Sequence, residues 1–406
     1  MIWSIAWRNV WRNKVRSAIV LLAVAIGLFA GVFSTGFFKG MIDMRMRSAI
    51  KTETSHIQIH KKDYKLNYDL KLFMTGTDEL LADIKARPDV AGVSRRLISE
   101  CIVTTAHGTR GVKLVGIEPE REGMVTDIFE RITEGKYLDH DNKRTAPILV
   151  GESLAEDLKL KLKSKITVDL VDAEGHITTK LFKVAGIFRT SNTGYDDMNV
   201  FVKREDLLNQ LALEQDVAHE IAIYLNPDTD LKIAKEEIQA KYSELEVLSW
   251  RQISKELALM ADSMDQYMYI FVLIIMLALC FGIINTMLMV VLERTKELGM
   301  LMAVGMNKMR VFFMIVLESI FLSLSGGVLG IIIGYLVIKH FETTPIVLDM
   351  FEGFEQYGYS TKVYTSIDLE TLIGITIMVI FLGIFSAIYP ARKATKLDPA
   401  DAIRTD

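Results

Sequence analysis

The stretch Tyr267-Met-Tyr-Ile-Phe-Val-Leu-Ile-Ile-Met-Leu-Ala-Leu-Cys-Phe-Gly-Ile-Ile-Asn-Thr-Met-Leu-Met-Val-Val-Leu292 contains no charged residue. At a rise of about 1.5 Å per residue it is long enough, as a helix, to cross a hydrocarbon core of roughly 30 Å. Three further segments are likewise apolar and long enough: residues 17–38, 311–338 and 369–388. One span near the amino terminus and three in the last third bracket a polar stretch, residues 39–262. The chain therefore reads as an α-helical membrane protein with four transmembrane helices and a large extracytoplasmic α+β domain inserted between helices 1 and 2.

Half of the 406 residues are hydrophobic, and the net charge of −4 averages a membrane part with a soluble one. The informative quantity is where Lys and Arg fall, because they favour the cytoplasmic side of a span. Residues 1–16 carry Arg8, Arg12, Lys14 and Arg16; the turn at 293–310 carries Arg294, Lys296, Lys308 and Arg310; the tail at 389–406 carries Arg392, Lys393, Lys396 and Arg404. All three segments are expected inside. The loop 339–368 holds only Lys339 and Lys362 and is expected outside with the large domain. Lys39, Arg45, Arg47 and Lys51 oppose this assignment, but long domains translocate largely regardless of charge.

Ahead of span one, Trp3, Trp7 and Trp11 recur every four residues, and Arg8, Arg12 and Arg16 follow one step round the helix. This pattern predicts an interfacial amphipathic helix over 1–16, indoles at headgroup level and guanidiniums toward lipid phosphate or water. Ordinary flanking anchors for span one are the plainer alternative. The span itself lacks a small-residue cleavage site and reads as an uncleaved anchor.

The inserted domain alternates like strands at 55–60, 112–117, 165–171 and 180–187, with helical candidates at 78–86, 153–160, 204–213 and 230–242. The sheet is expected to break into two subdomains. A long amphipathic stretch from Ile253 runs straight into span two. Cys101 lies in the inserted domain and Cys280 in span two, so both are expected to be free thiols.

Sites of chemistry are scarce. His56 and His60 on one strand would lie about 13 Å apart, too far to share a metal ion, and read as a solvated strand face. No Gly-x-Ser-x-Gly, His-Glu-x-x-His or Cys-x-x-Cys occurs, and no Gly-x4-Gly-Lys-[Ser/Thr] loop is present to cradle phosphate. Leu324-Ser-Gly-Gly327 lies inside span three. Gly326, Gly330 and Gly334 there form a smooth face for close helix packing. Two polar residues, Asn285 and Glu318, sit about 10 Å inside spans two and three. An intramembrane carboxylate normally faces protein, so Glu318 is expected to meet Asn285 or Thr286, with Glu318→Gln mild and Glu318→Leu damaging.

The short amphipathic turn Leu292-Glu-Arg-Thr-Lys-Glu-Leu-Gly-Met-Leu-Met-Ala-Val-Gly305 resembles the coupling helix of the MacB/FtsX superfamily of ABC transporter permeases. Gly151-Glu-Ser-Leu-Ala155, Val184-Ala-Gly-Ile-Phe188, the start of span three, and the tail pieces Pro390-Ala-Arg-Lys-Ala394, Asp398-Pro-Ala400 and Ala402-Ile-Arg404 are similar to that family as well. One departure is Lys163-Ser-Lys165, where the family often has glycine.

The resemblance implies a dimer, with a second permease that is identical or paralogous, bound to two copies of a separate ABC ATPase that hold ATP and Mg. This chain would carry no catalytic, cofactor or metal site. Its docking residues would be Glu293, Arg294, Lys296, Glu297, Leu298, Gly299, Leu301 and Gly305, with Leu298 and Gly299 the most sensitive. Within the family the chain looks most like the lipoprotein-releasing LolC/LolE type. That implies a bacterial inner-membrane protein with cytoplasmic termini and a periplasmic domain, acting on lipoproteins with a chaperone or adaptor, in contact with lipid and not nucleic acid. MacB-like efflux and FtsX-like regulation of an extracytoplasmic hydrolase are the rival expectations.

Overall fold

The computed structural model describes residues 2–12, 14–138, 145–348, 353 and 358–396; Arg404 and the tail motifs at 398–404 lie outside these. The chain divides into two compact units: Met1–Met41 with Ser263–Val347 and Lys362–Asp406, and Ile42–Asp262 with Leu348–Thr361.

The first unit is helical. A short helix, Ile2–Arg12, precedes the long helices Lys14–Ala49, Lys255–Glu293, Lys308–Phe341 and Leu369–Thr395. These four are long and apolar enough to cross a membrane and contain the four spans. Their shared core includes Val24, Leu28, Met276, Met287, Ile315 and Val379. In lipid the backbone must satisfy itself, which helices do internally. Side-chain packing then decides how they associate. Span three carries the small-residue face, and its neighbour is span one of the same chain. A Cβ on Gly326 would lie 2.8 Å from the Leu21 carbonyl oxygen, and one on Gly330 would lie 2.5 Å from that of Ala25. Gly334 faces Val32 in the same way. Spans three and four add a contact between the Ser319 and Ser386 hydroxyls at 3.2 Å.

Two of the cations that followed span one are neutralised locally. Lys39 pairs with Asp368, and Arg45 with Glu53 at 2.9 Å.

The second unit is built on one ten-stranded sheet. Its order is Leu245–Ser249, Ile57–Lys61, Glu220–Leu225, Val90–Thr105, Gly108–Ile117, Asn199–Lys203, Ala146–Gly151, Ile177–Phe188 and Ile132–Gly135. Lys165–Val171 lies off this path and pairs with both Val90–Thr105 and Ile177–Phe188. The expected interruption of the sheet between two subdomains is therefore corrected: the sheet is continuous. Val90–Thr105 spans both regions by changing partners: residues up to Arg96 pair with Glu220–Leu225, and from Leu97 onward with Gly108–Ile117. Distinct cores remain along it. Val93 packs with Ile57, Ile59 and Ile221, whereas Leu97, Cys101 and Val103 pack with Leu114, Val168 and Phe182.

At the change of partner sits Arg96. Its guanidinium reaches Glu122 at 2.6 Å and Glu220 at 2.7 Å, and all three side chains are buried. The two carboxylates outweigh desolvation and hold Arg96 above its ordinary range. The counterpart effect on Glu220 comes from Lys65 and Arg96, which hold its carboxyl well below the usual range against burial.

His60 corrects the solvated-face expectation. It is fully buried, with Nδ1 3.0 Å from the His219 carbonyl and Nε2 3.0 Å from Gln58 Oε1. Burial lowers its pKa to about 3, and that of the half-buried His56 to about 4. Strand Ile57–Lys61 is buried on both faces from Ile57 to His60, so alternation misreads it. Cys101 and Cys280 are free, as expected. Burial pushes the Cys101 thiol up to about 12.

Lys163 adopts the left-handed conformation, with φ 69°. Its backbone N–H donates to the Val184 carbonyl at 2.9 Å, and Val184 N–H donates back to Ser164 at 2.9 Å. The turn thus keeps a glycine-type geometry with a lysine in it. Lys163→Gly removes the Cβ clash and adds some unfolded-state entropy, so we expect a net gain of about 0.5–1 kcal/mol. An unchanged or lowered thermal midpoint would contradict this. In the membrane unit, Gly330→Leu should push spans one and three apart and reduce monodisperse protein on size-exclusion chromatography at equal membrane abundance. Gly282→Leu is the control, since nothing lies within 4 Å of a Cβ there.

Candidate functional site

The turn after span two forms a helix, Thr295–Ala303. It ends at Gly305, whose φ of +101° is glycine territory. Met306 N–H donates to the Leu301 carbonyl and Gly305 N–H to that of Met302, a Schellman termination that leaves the next helix free to start at Lys308. Asn307 caps that helix by accepting from Met309 N–H at 3.1 Å.

The turn helix has two faces. Leu298 and Gly299 are buried, and Leu298 belongs to the core of the membrane unit. Lys296, Met300, Ala303 and Val304 are exposed, with Val304 at 86%. Leu301 is half-buried, and Glu293 and Gly305 are exposed. The expectation that Leu298 and Gly299 form the outward docking surface is therefore corrected. Period 3.6 puts them on the stripe that packs inward, and Met300 and Val304 on the opposite one.

Behind the turn helix lies a chain of polar contacts. Arg12 Nη2 bonds both oxygens of Glu297 at 2.6 and 2.9 Å. Arg294 Nε donates to Glu297 at 3.1 Å, and its Nη1 reaches the two Glu318 oxygens at 3.1 and 3.3 Å. Asn9 Nδ2 completes the chain by donating to Glu318 at 2.6 Å. One network therefore ties the amino-terminal helix, the turn helix and span three together. It borders a cavity of about 540 Å³ that also touches Lys14, Met287 and Leu322. The hydrogen bond from Arg12, joined by Arg294, holds the Glu297 carboxyl below its ordinary range.

The expected partners of Glu318 are corrected by this geometry. Asn285 is exposed, and Thr286 donates to the Gly282 carbonyl at 2.9 Å within its own helix. The physical reason is charge: a buried carboxylate gains more from a guanidinium than from an amide. Arg294, counted from sequence as a surface residue, is only 15% exposed. Asn9 went unnoticed, yet it had a signal. Ile5, Ala6, Asn9 and Val10 form the covered side of Ile2–Arg12, so Asn9 is a polar residue on an apolar stripe. Trp3, Trp7 and Trp11 are exposed, and Trp3 and Trp7 also meet Phe321 edge-on at 5.8 and 5.4 Å. Arg8 is exposed, whereas Arg12 serves the network. Among the described residues, no cluster of three or more His, Cys, Asp or Glu could hold a metal.

The model of a MacB-like periplasmic core domain matches residues 17–241, and that of an FtsX-like permease C-terminal region matches 269–399. The chain belongs to the MacB/FtsX superfamily of ABC transporter permeases. Among its relatives, an uncharacterized ABC transporter permease of Methanocaldococcus jannaschii is 26% identical over 67% of this chain and 65% of its own length, just under two thirds. The lipoprotein-releasing system transmembrane protein LolC of Neisseria meningitidis serogroup B is 22% identical over 81% of this chain and 82% of its own. The solved periplasmic region of MacB from Actinobacillus actinomycetemcomitans aligns at 11% identity and TM-score 0.37, covering 53% of this chain and 98% of that one. As a member of this superfamily, the chain is a multi-pass membrane protein.

Because Glu318 pairs with Arg294, Glu318→Gln strands a buried guanidinium and is no longer expected to be mild. Glu318→Gln and Arg294→Met should each lower the melting temperature in detergent. The double variant should lose less than their sum, with a coupling of about 1–3 kcal/mol. Strict additivity would mean that the pair does not act as a unit.

Proposed function

We propose that this permease is the membrane subunit of an ABC transporter that passes ATPase motion to its soluble unit and releases lipoproteins from the outer leaflet of the inner membrane. In this reading the termini and the turn helix face the cytoplasm, where two copies of a separate ATPase hold ATP and Mg. The unit Ile42–Asp262 faces the periplasm, and a second permease, identical or paralogous, completes the assembly.

The observation that carries the reading is the two-sided turn helix. Its outer face offers Lys296, Met300 and Val304, a partly apolar surface suited to a protein partner. Its inner face is locked by Leu298 and, through Glu297 and Arg294, bonded to the amino-terminal helix and span three. A push on the outer face is thus delivered to elements that run the length of the membrane unit, without any pore. The likeness to LolC over most of both chains supports lipoprotein release. The MacB-like core model supports efflux as the second reading.

With the partner ATPase co-expressed, Met300→Glu combined with Val304→Glu should cut permease-stimulated ATP hydrolysis about tenfold, consistent with the loss of a docking anchor. Membrane abundance should not change. Leu298→Glu should instead lower abundance, because it buries a charge. Wild-type stimulation by the double variant would refute the docking face. In proteoliposomes, ATP-dependent transfer of a labelled acylated lipoprotein to a soluble carrier supports release; export of a small amphiphile with no transfer favours efflux.

A further inference from the structure

Two cavities in the unit Ile42–Asp262 meet around one lysine. The larger, about 690 Å³, is lined in part by Ile102, Val171, Ile177 and Met198, each at least half exposed. The smaller, about 280 Å³, is polar and holds Lys65, Arg96 and Glu220. Tyr68, Ile98, Lys113 and Met198 line both, so the two form one cleft with an apolar arm and a charged end. The size and the few convergent polar groups match a small-molecule site.

The ion pairs at that end leave one cation out. Arg96 is shared between Glu122 and Glu220, and Lys65 also turns to Glu220, at 3.3 Å. Lys113 is left over. Among the described residues no carboxylate lies within 4.0 Å of its ammonium, which sits 5.6 Å from the Tyr68 ring centre. Three other acids line the cleft: Glu100, exposed and across the strand from Lys113 without pairing with it; Asp169, which accepts from Thr179 at 2.5 Å; and Glu53, which pairs with Arg45. An ammonium held in such a place without a counterion costs free energy that an anion would restore. Burial, with Lys65 and Arg96 adding to it against Glu220 and Glu100, lowers the Lys113 pKa to about 8.

We propose that this cleft binds a single-chain amphiphile of the fatty-acid class, with its carboxylate on Lys113 and its chain along Ile102, Val171, Ile177 and Met198. Lys113 is the one cation at that end without a carboxylate within 4.0 Å among the described residues, and a single ammonium suits a singly charged carboxylate better than a phosphate of higher charge. The assignment concerns the soluble unit alone and stands apart from the turn helix and its ATPase.

The test uses the full chain in nanodiscs and a palmitate analogue bearing a photoactivatable diazirine, with adducts mapped by mass spectrometry. Adducts are expected on the peptides holding Ile102, Val171, Ile177 or Met198, competed by palmitate and not by hexadecanol. Lys113→Met should reduce that labelling about tenfold or more, and Lys113→Arg should retain it, as expected for a charge-assisted contact. Because Lys113→Met replaces an unpaired charge by a side chain of similar length, its melting temperature should be unchanged or higher, which separates lost binding from lost folding. Labelling that Lys113→Met leaves intact, equal competition by hexadecanol, or no adducts above a no-light control would each overturn the proposal.

Discussion

A carboxylate three turns into an apolar helix has to be answered by a cation, and the membrane unit is organised around that answer. Glu318 is 4% exposed, and it draws Arg294 inward from the end of span two and Asn9 from the amino-terminal helix. Removing one member of such a pair is costly, because the other stays buried and charged. The turn helix is thereby fixed at its start by Arg294 and along its inner side by Leu298, while Glu297 links it onward to Arg12. The Arg12 contact is more exposed than the rest and contributes less to stability. Its geometry matters more for connecting the two surface helices than for holding the fold.

The soluble unit solves a similar problem with Arg96. Its two carboxylates come from separate segments, Glu122 and Glu220, and Ser94 donates to Glu122 as well, at 2.7 Å. The guanidinium fork satisfies both acids at the residue where Val90–Thr105 leaves one partner strand for the next. At the switch the backbone is met by buried His219, whose backbone N–H donates to the Arg96 carbonyl at 3.0 Å and whose Nδ1 accepts from Ile98 N–H at 3.1 Å. Lys113 lies beside this cluster, in the cavity that Arg96 and Glu220 also line.

The turn helix gives the chain two kinds of surface. One side is core, where substitution acts on folding, and the other is open to solvent. Leu298 and Val304 are near neighbours in sequence, yet a charge at one or the other would be read by entirely different assays.

Hydropathy and periodicity alone were enough for the four spans, the inserted α+β unit and the amphipathic turn, because apolar length and helical period are local properties. Free Cys101 and Cys280 followed from their separation along the chain, and the family was legible in motifs spread over most of it. Strand Val90–Thr105 was not legible. Its polar run Ser94-Arg-Arg96 looks like surface until Glu122 and Glu220 arrive from elsewhere to cover it. His60 looked solvated for the same reason, since alternation cannot reveal that both faces of its strand are covered. The partners of Glu318 and the inward side of the turn helix were decided by long-range packing: a charge in an apolar setting takes the strongest available counterion, wherever in the chain that counterion lies.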